Sequence, residues 1–398
     1  MINEKYKAML GEKSVIRMIS ERAAARRAEI GADEVFDFSI GNPSVPCTPA
    51  FTNAVIDLYE NEAPSALHGY SPSVGITSFR GAVADSLSRR FGMDYTEQHI
   101  FPTSGATGSL AHAFRAVTKP GDEVLTFAPF FPEYIPYVEG TGATLTVVPP
   151  DTTAFQIDFE AFERALNPNV AVVLINTPNN PSGAAYSAAT LERLAGILRD
   201  KQTEYGHDIF IVSDEPYREI MFDGAAQAYP AKFYDNTLTC YSFSKSLSLP
   251  GERIGYVAVN PRATDADVLV PMFAQISRTI GHNCPSSTMQ LAVERVIDDT
   301  SDLSIYEANM NLLYDALVDL GFEVVRPSGT FYIFPKALEE DANEFARKAM
   351  EYDLFMVPSD SFGMPGYLRL SYCVETEHLR KAIVRLRQFV TEVYGERE

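Results

Sequence analysis

The 398-residue sequence predicts an α/β protein in two domains, a large one built on a mostly parallel sheet with one antiparallel strand and a smaller α+β one. Three observations predict it. Short, unbroken apolar runs at 123–127, 170–175, 209–213 and 238–241 have the composition of parallel strands buried on both faces, and each leads into a polar loop. A further run at 254–259 follows its polar residue, Arg253, instead of preceding it, so this strand must be reversed for Arg253 to reach the same sheet edge. The third observation is a later change of pattern, with helical periodicity at 287–297, 304–320, 342–352 and from 377 onward and strand patterns at 322–325 and 330–334. The expected large domain covers 46–285, and 1–45 with 286–398 form the small one.

Open α/β sheets bind ligands at the carboxyl ends of their strands, and the residues found there are chemically distinctive. After the run at 209–213 comes Asp214-Glu215-Pro216-Tyr217; a carboxylate in this place can hold a ring nitrogen in its protonated form, although a helix N-cap is the plain alternative. After the run at 170–175 comes Asn176-Thr177-Pro178-Asn179-Asn180-Pro181-Ser182-Gly183, which alone reads as a proline and glycine turn. After the run at 238–241 comes Ser242-Phe243-Ser244-Lys245, followed by Arg253. A lysine among hydroxyl and guanidinium groups suited to phosphate suggests covalent attachment to pyridoxal phosphate (PLP), whose ring serves as an electron sink. Thr103-Ser104-Gly105-Ala106-Thr107-Gly108 reads as a small-residue turn entering a helix, whose free amides favour an anion.

Together and in this order these segments resemble the class I/II aminotransferases, the PLP-dependent enzymes typified by aspartate aminotransferase, from about residue 35 to the C-terminus. The resemblance implies PLP fold type I, with a seven-stranded sheet. It implies that Lys245 carries the cofactor, that Ser242 and Arg253 hold its phosphate with the Ala106 and Thr107 amides, and that Asp214 bonds the ring nitrogen. Tyr217 and Asn180 would bond the ring's 3′-oxygen, and Phe131 would stack on the ring where many relatives carry tryptophan or tyrosine. Arg369, inside the alternating strand Tyr367-Leu368-Arg369-Leu370-Ser371, matches the arginine that clamps a substrate α-carboxylate, and Gly41 lies in the loop that covers substrate. Tyr70 matches a tyrosine that reaches the phosphate of a neighbouring subunit, which implies a homodimer with shared active sites. Arg278 aligns with an arginine that some aspartate enzymes use for the distal carboxylate; a structural or surface role fits it equally.

The implied activity is transfer of an amino group between an L-amino acid, aspartate or glutamate first, and a 2-oxo acid. Aromatic or neutral amino acid transamination, a C–S lyase of the same fold and a non-catalytic PLP-binding sensor are the alternatives. A net charge of −20 without a basic cluster argues against nucleic acid and anionic membranes as partners. Cys47, Cys240, Cys284 and Cys373 are widely spaced and read as free thiols of a cytoplasmic protein, and the histidines show no metal-ligand spacing.

Overall fold

The computed structural model describes residues 2–11 and 14–395. Two compact units divide the chain: Val45–Asn179 with Ala184–Leu303 forms the larger, and Met1–Ser44, Asn180–Gly183 and Ser304–Glu398 form the smaller.

In the larger unit the strands β1 (Ile100–Thr103), β2 (Glu123–Phe127), β3 (Thr144–Val148), β4 (Val170–Asn176), β5 (Phe210–Asp214), β6 (Thr237–Ser242) and β7 (Gly255–Val259) make one seven-stranded sheet, ordered β1-β7-β6-β5-β4-β2-β3. β7 is antiparallel to both its neighbours, and β2 to β6 pair in parallel where they adjoin. Both faces are covered: along β4, Val172 and Leu174 join one apolar cluster while Val173 and Ile175 join another. This is why the strand reads as a continuous apolar run instead of an alternating one. Ser242 pairs with Gly255, so reversal of β7 returns the chain segment ahead of it to the edge where β6 ends. Strands β1 and β3 complete the sheet beyond those read from the sequence; β1 is short and contains Pro102, and β3 is a partly exposed edge strand.

The helix α1 (Gly105–Val117) follows β1 and packs on β5, β6 and β7, and α2 (Ala266–Ile280) packs against α1. The helix Ser287–Glu294 belongs to the larger unit, beyond the boundary expected at 285. Its Ala292 and Val293 share a core with Phe79 and Val83, and its Thr288 hydroxyl donates to the Leu67 carbonyl at 3.1 Å.

The smaller unit holds a three-stranded antiparallel sheet of Val357–Pro358, Leu368–Ser371 and Tyr332–Ile333, plus a parallel pair of Phe36–Asp37 with Leu354–Phe355. Helices Ser304–Asp319, Ala342–Met350 and Thr376–Tyr394 belong to the same unit. The strand expected at 322–325 is absent: this stretch is irregular, with the Phe322 amide bonded back to Leu317 and the Glu323 carbonyl taking the Lys336 amide. Among the described residues no helix is long and apolar enough to cross a membrane.

Candidate active site

The ends of β5 and β6 and the start of β7 meet at one edge of the larger unit. Lys245 sits in the short helix Phe243–Ser246 directly after β6, half-buried, with its Nζ 6.0 Å from the centre of the Tyr217 ring. Ser242 caps that helix, its Oγ accepting from the Ser244 amide at 3.2 Å. Arg253 precedes β7 in a left-handed conformation (φ 54°), and its guanidinium donates to the Ser104 carbonyl at 3.1 Å and the Pro250 carbonyl at 3.0 Å.

Gly105, at the first turn of α1, joins these groups. Its φ is +76°, and a side-chain carbon placed there would stand 3.1 Å from Arg253 Nη2 and 3.3 Å from Ser242 Oγ. The helix start, the serine and the arginine therefore surround one small space. Ala106 and Thr107 are the next residues of the helix, and their amides lie in its first turn, where no intrahelical acceptor exists.

Asp214 ends β5 and is buried. Its Oδ2 accepts from the Tyr134 hydroxyl at 2.6 Å, while Oδ1 is buried with no hydrogen-bond partner among the described residues. Burial pushes the carboxyl up from 3.8 to about 7; the Tyr134 bond opposes this and nearby Glu215 reinforces it. Tyr217 is buried in the same turn, and Phe131 stands edge-on to Tyr134 with ring centres 5.6 Å apart. Tyr134 is a site residue that sequence reasoning missed; it lies three positions past Phe131, across a turn closed by the Tyr134 amide on the Phe131 carbonyl, and that short spacing was its signal.

These residues fit PLP. A buried, ionised carboxylate with a spare oxygen calls for a cation, which a protonated ring nitrogen would supply. The space around Gly105 offers a phosphate an arginine, a hydroxyl and a helix N-terminus.

Arg369, Asn180 and Gly41 lie in the smaller unit. Arg369 is fully buried; it donates to Asn180 Oδ1 at 3.2 Å and to the Ser39 carbonyl, with its guanidinium 4.7 Å from the Tyr332 ring centre and 5.3 Å from that of Phe362. A side chain at Gly41 would collide with the Tyr332 hydroxyl and the Phe331 ring, so only glycine fits. Tyr70 and Arg278 are not gathered with Lys245. Both are exposed and line a separate cavity of about 960 Å³ in the larger unit.

The fold and this edge define a PLP-dependent enzyme of the α/β type. Residues 33–386 match the family model for aminotransferase class I and II, and the chain belongs to that family, whose members depend on PLP. It is 31% identical over 369 residues to a probable N-acetyl-LL-diaminopimelate aminotransferase of Bacillus subtilis, covering 90% of each chain. It is 28% identical over 393 residues to an aspartate aminotransferase of Thermotoga maritima, covering 94% of this chain and 99% of that one. Among solved structures, an amino transferase of Eubacterium rectale superposes with a TM-score of 0.95 at 41% identity, covering 99% of this chain and all of the other. The aspartate aminotransferase of Thermus thermophilus with maleate gives 0.85 at 26% identity, covering 98% and 99%.

Proposed function

We propose that this aminotransferase takes an acidic amino acid, aspartate or glutamate, and passes its amino group to a 2-oxo acid by a ping-pong route in a homodimer of cytoplasmic location. The observation that carries the substrate reading is the cavity around Arg278. In a chain of net charge −20, no aspartate or glutamate among the described residues lines that cavity, whereas Arg278 does, beside Tyr70, His68 and Asn283. Such a surface favours a carboxylate. The name of the Thermotoga relative agrees, whereas relatives named for prephenate, aromatic and diaminopimelate substrates show that the family model alone does not choose.

In this reading the bound cofactor stores the amino group between half-reactions and draws electrons from the substrate's Cα. The chain's residues do the rest. Arg369 holds the substrate α-carboxylate, with Asn180 fixing the guanidinium plane. Lys245 Nζ, freed by the incoming amine, would carry the proton from the substrate's Cα to the cofactor's C4′ carbon, and in the opposite direction in the reverse half. Asp214 keeps the ring nitrogen protonated, and Tyr134 fixes which of its oxygens faces the ring. Ser242, Arg253 and the Ala106 and Thr107 amides grip the phosphate, Phe131 stacks on the ring, and Tyr217 and Asn180 bond its 3′-oxygen. Gly41 lets the loop that covers substrate approach closely, and Tyr70 with Arg278 serves the neighbouring subunit's site.

The test is the visible spectrum of the PLP-loaded protein as L-aspartate, L-phenylalanine and L-alanine are added in turn without oxo acid. Stoichiometric loss of the band with aspartate, restored by 2-oxoglutarate, supports the reading. A band that persists while cystathionine yields pyruvate and ammonia would make the protein a lyase.

A further inference from the structure

Behind the edge that carries Asp214 and Lys245, the larger unit buries a second ionic cluster that none of the steps above uses. Asp214 meets Tyr134, whereas Glu215, one residue on, meets Arg218 and Thr239. Glu215 and Arg218 form an ion pair at 2.8 Å with side chains 0% and 2% exposed. The guanidinium also donates to the Tyr256 hydroxyl at 3.1 Å and lies over the rings of Tyr241, Tyr229 and Phe91 at 4.5, 5.3 and 5.6 Å. Its Nη2 is buried with no hydrogen-bond partner among the described residues.

Such a pair is a poor source of stability, since an apolar pair of similar volume would avoid the desolvation of two ions. What it does supply is direction, because a planar guanidinium fixes the angle of every group it touches. Of the three rings it lies over, Tyr241 is the nearest. The Tyr241 hydroxyl donates to Glu219 at 2.7 Å and lies 2.8 Å from Ser246 Oγ, while Glu219 pairs with Arg90 at 3.0 Å. Arg218 and Glu219 belong to the turn that begins with Asp214 and Tyr217; Ser246 is the residue after Lys245. Tyr241 thus binds the two turns that present the ring-nitrogen carboxylate and the reacting amine.

We propose that Arg218 is a positioning residue for the amine transfer, locking the turn at 214–219 against the turn at 242–246 through Tyr241 so that Lys245 Nζ keeps its place beside Tyr217. The groups facing it are Glu215 and Glu219 of its own turn, Tyr241 and Tyr256 of β6 and β7, Tyr229, and Phe91 beside Arg90. Glu215 also raises the proton affinity of Asp214, and Arg218 offsets the Glu215 charge, so loss of the guanidinium alone would leave a bare anion behind the ring-binding carboxylate.

This inference rests on the roles proposed for Lys245 and Asp214. Wild-type protein must gain a visible band with PLP and Lys245→Ala must not; failure of that control would sink those roles and this one together, whereas the following variants speak to Arg218 alone. Glu215→Gln combined with Arg218→Met removes both charges at similar volume. The cofactor-free double variant is expected to melt within about 3 °C of wild type. Loaded with PLP, it should lose about tenfold in kcat with little change in KM, and the midpoint pH of its visible band should move by about half a unit. Wild-type kcat and midpoint in the folded double variant would overturn the proposal. Should that variant not fold, Tyr241→Phe keeps the ring under Arg218 and removes only the link to Ser246 and Glu219. A kcat loss of about fivefold with a displaced band midpoint is then expected, and unchanged values overturn the proposal equally.

Discussion

Replacing Asp214 by asparagine separates what the buried carboxylate costs the empty protein from what it does for the cofactor. Burial raises the carboxyl from 3.8 to about 7, and the gap corresponds to about 4 kcal/mol of destabilisation once the group is ionised in the folded chain. The direction follows from proton counting. Between pH 4 and 7 the folded chain keeps a proton that the unfolded chain has released, so stability falls as pH rises through this window. Below it both states are protonated, and the contribution is complete; above pH 7 it is lost. Urea unfolding of cofactor-free protein at several pH values should show this decline in wild type and a flatter profile in Asp214→Asn, making the variant the more stable of the two at pH 8. With PLP bound the sign should reverse, since the proposed role of Asp214 pairs it with the protonated ring nitrogen. Losing one partner of a buried pair costs roughly 3–5 kcal/mol, which, expressed fully in the transition state, is about 10²- to 10⁴-fold in kcat/KM. Parallel unfolding profiles, or turnover near that of wild type, would refute the reasoning.

Arg369→Lys keeps the charge but loses the fork that meets a carboxylate, so KM should rise about 10- to 100-fold for every amino acid substrate in steady-state assays; a rise for aspartate alone would place Arg369 on the side chain instead. Gly105→Ala forces a side chain into a left-handed position beside Arg253 and Ser242, costing roughly 1–2 kcal/mol. PLP affinity measured by fluorescence titration should fall about tenfold, and an unchanged affinity would show that the phosphate lies elsewhere. Arg278→Gln should lower kcat/KM for aspartate by about 10- to 100-fold while sparing alanine, and equal losses for both would remove the acidic-substrate reading.

The residues legible in the sequence were those whose position follows from local pattern. A polar residue at the end of an unbroken apolar run has its place set by the strand before it, which is why Asp214 and Lys245 could be assigned to one sheet edge, and the order of Arg253 and its strand sufficed to reverse β7. The helix Ser287–Glu294 was legible as a helix but not in its allegiance, since its apolar face does not say whether Phe79 or the smaller unit will cover it. The stretch 322–325 has strand composition but pairs only one backbone group across to Lys336, and composition alone cannot supply a partner.

Sequence by itself determined which groups stand at the strand ends, an amine, a carboxylate and arginines at fixed offsets from strands, and the order of these segments carries the family resemblance from which their proposed roles come. Tertiary structure alone decided what surrounds each of them. The Tyr134 bond to Asp214, the burial of Arg218 among Tyr241, Tyr229 and Phe91, and the narrow space between Gly105, Ser242 and Arg253 all join residues distant in the chain. Desolvation and hydrogen-bond satisfaction depend on the full set of neighbours in space, and linear spacing carries that information only within one strand or one helical turn.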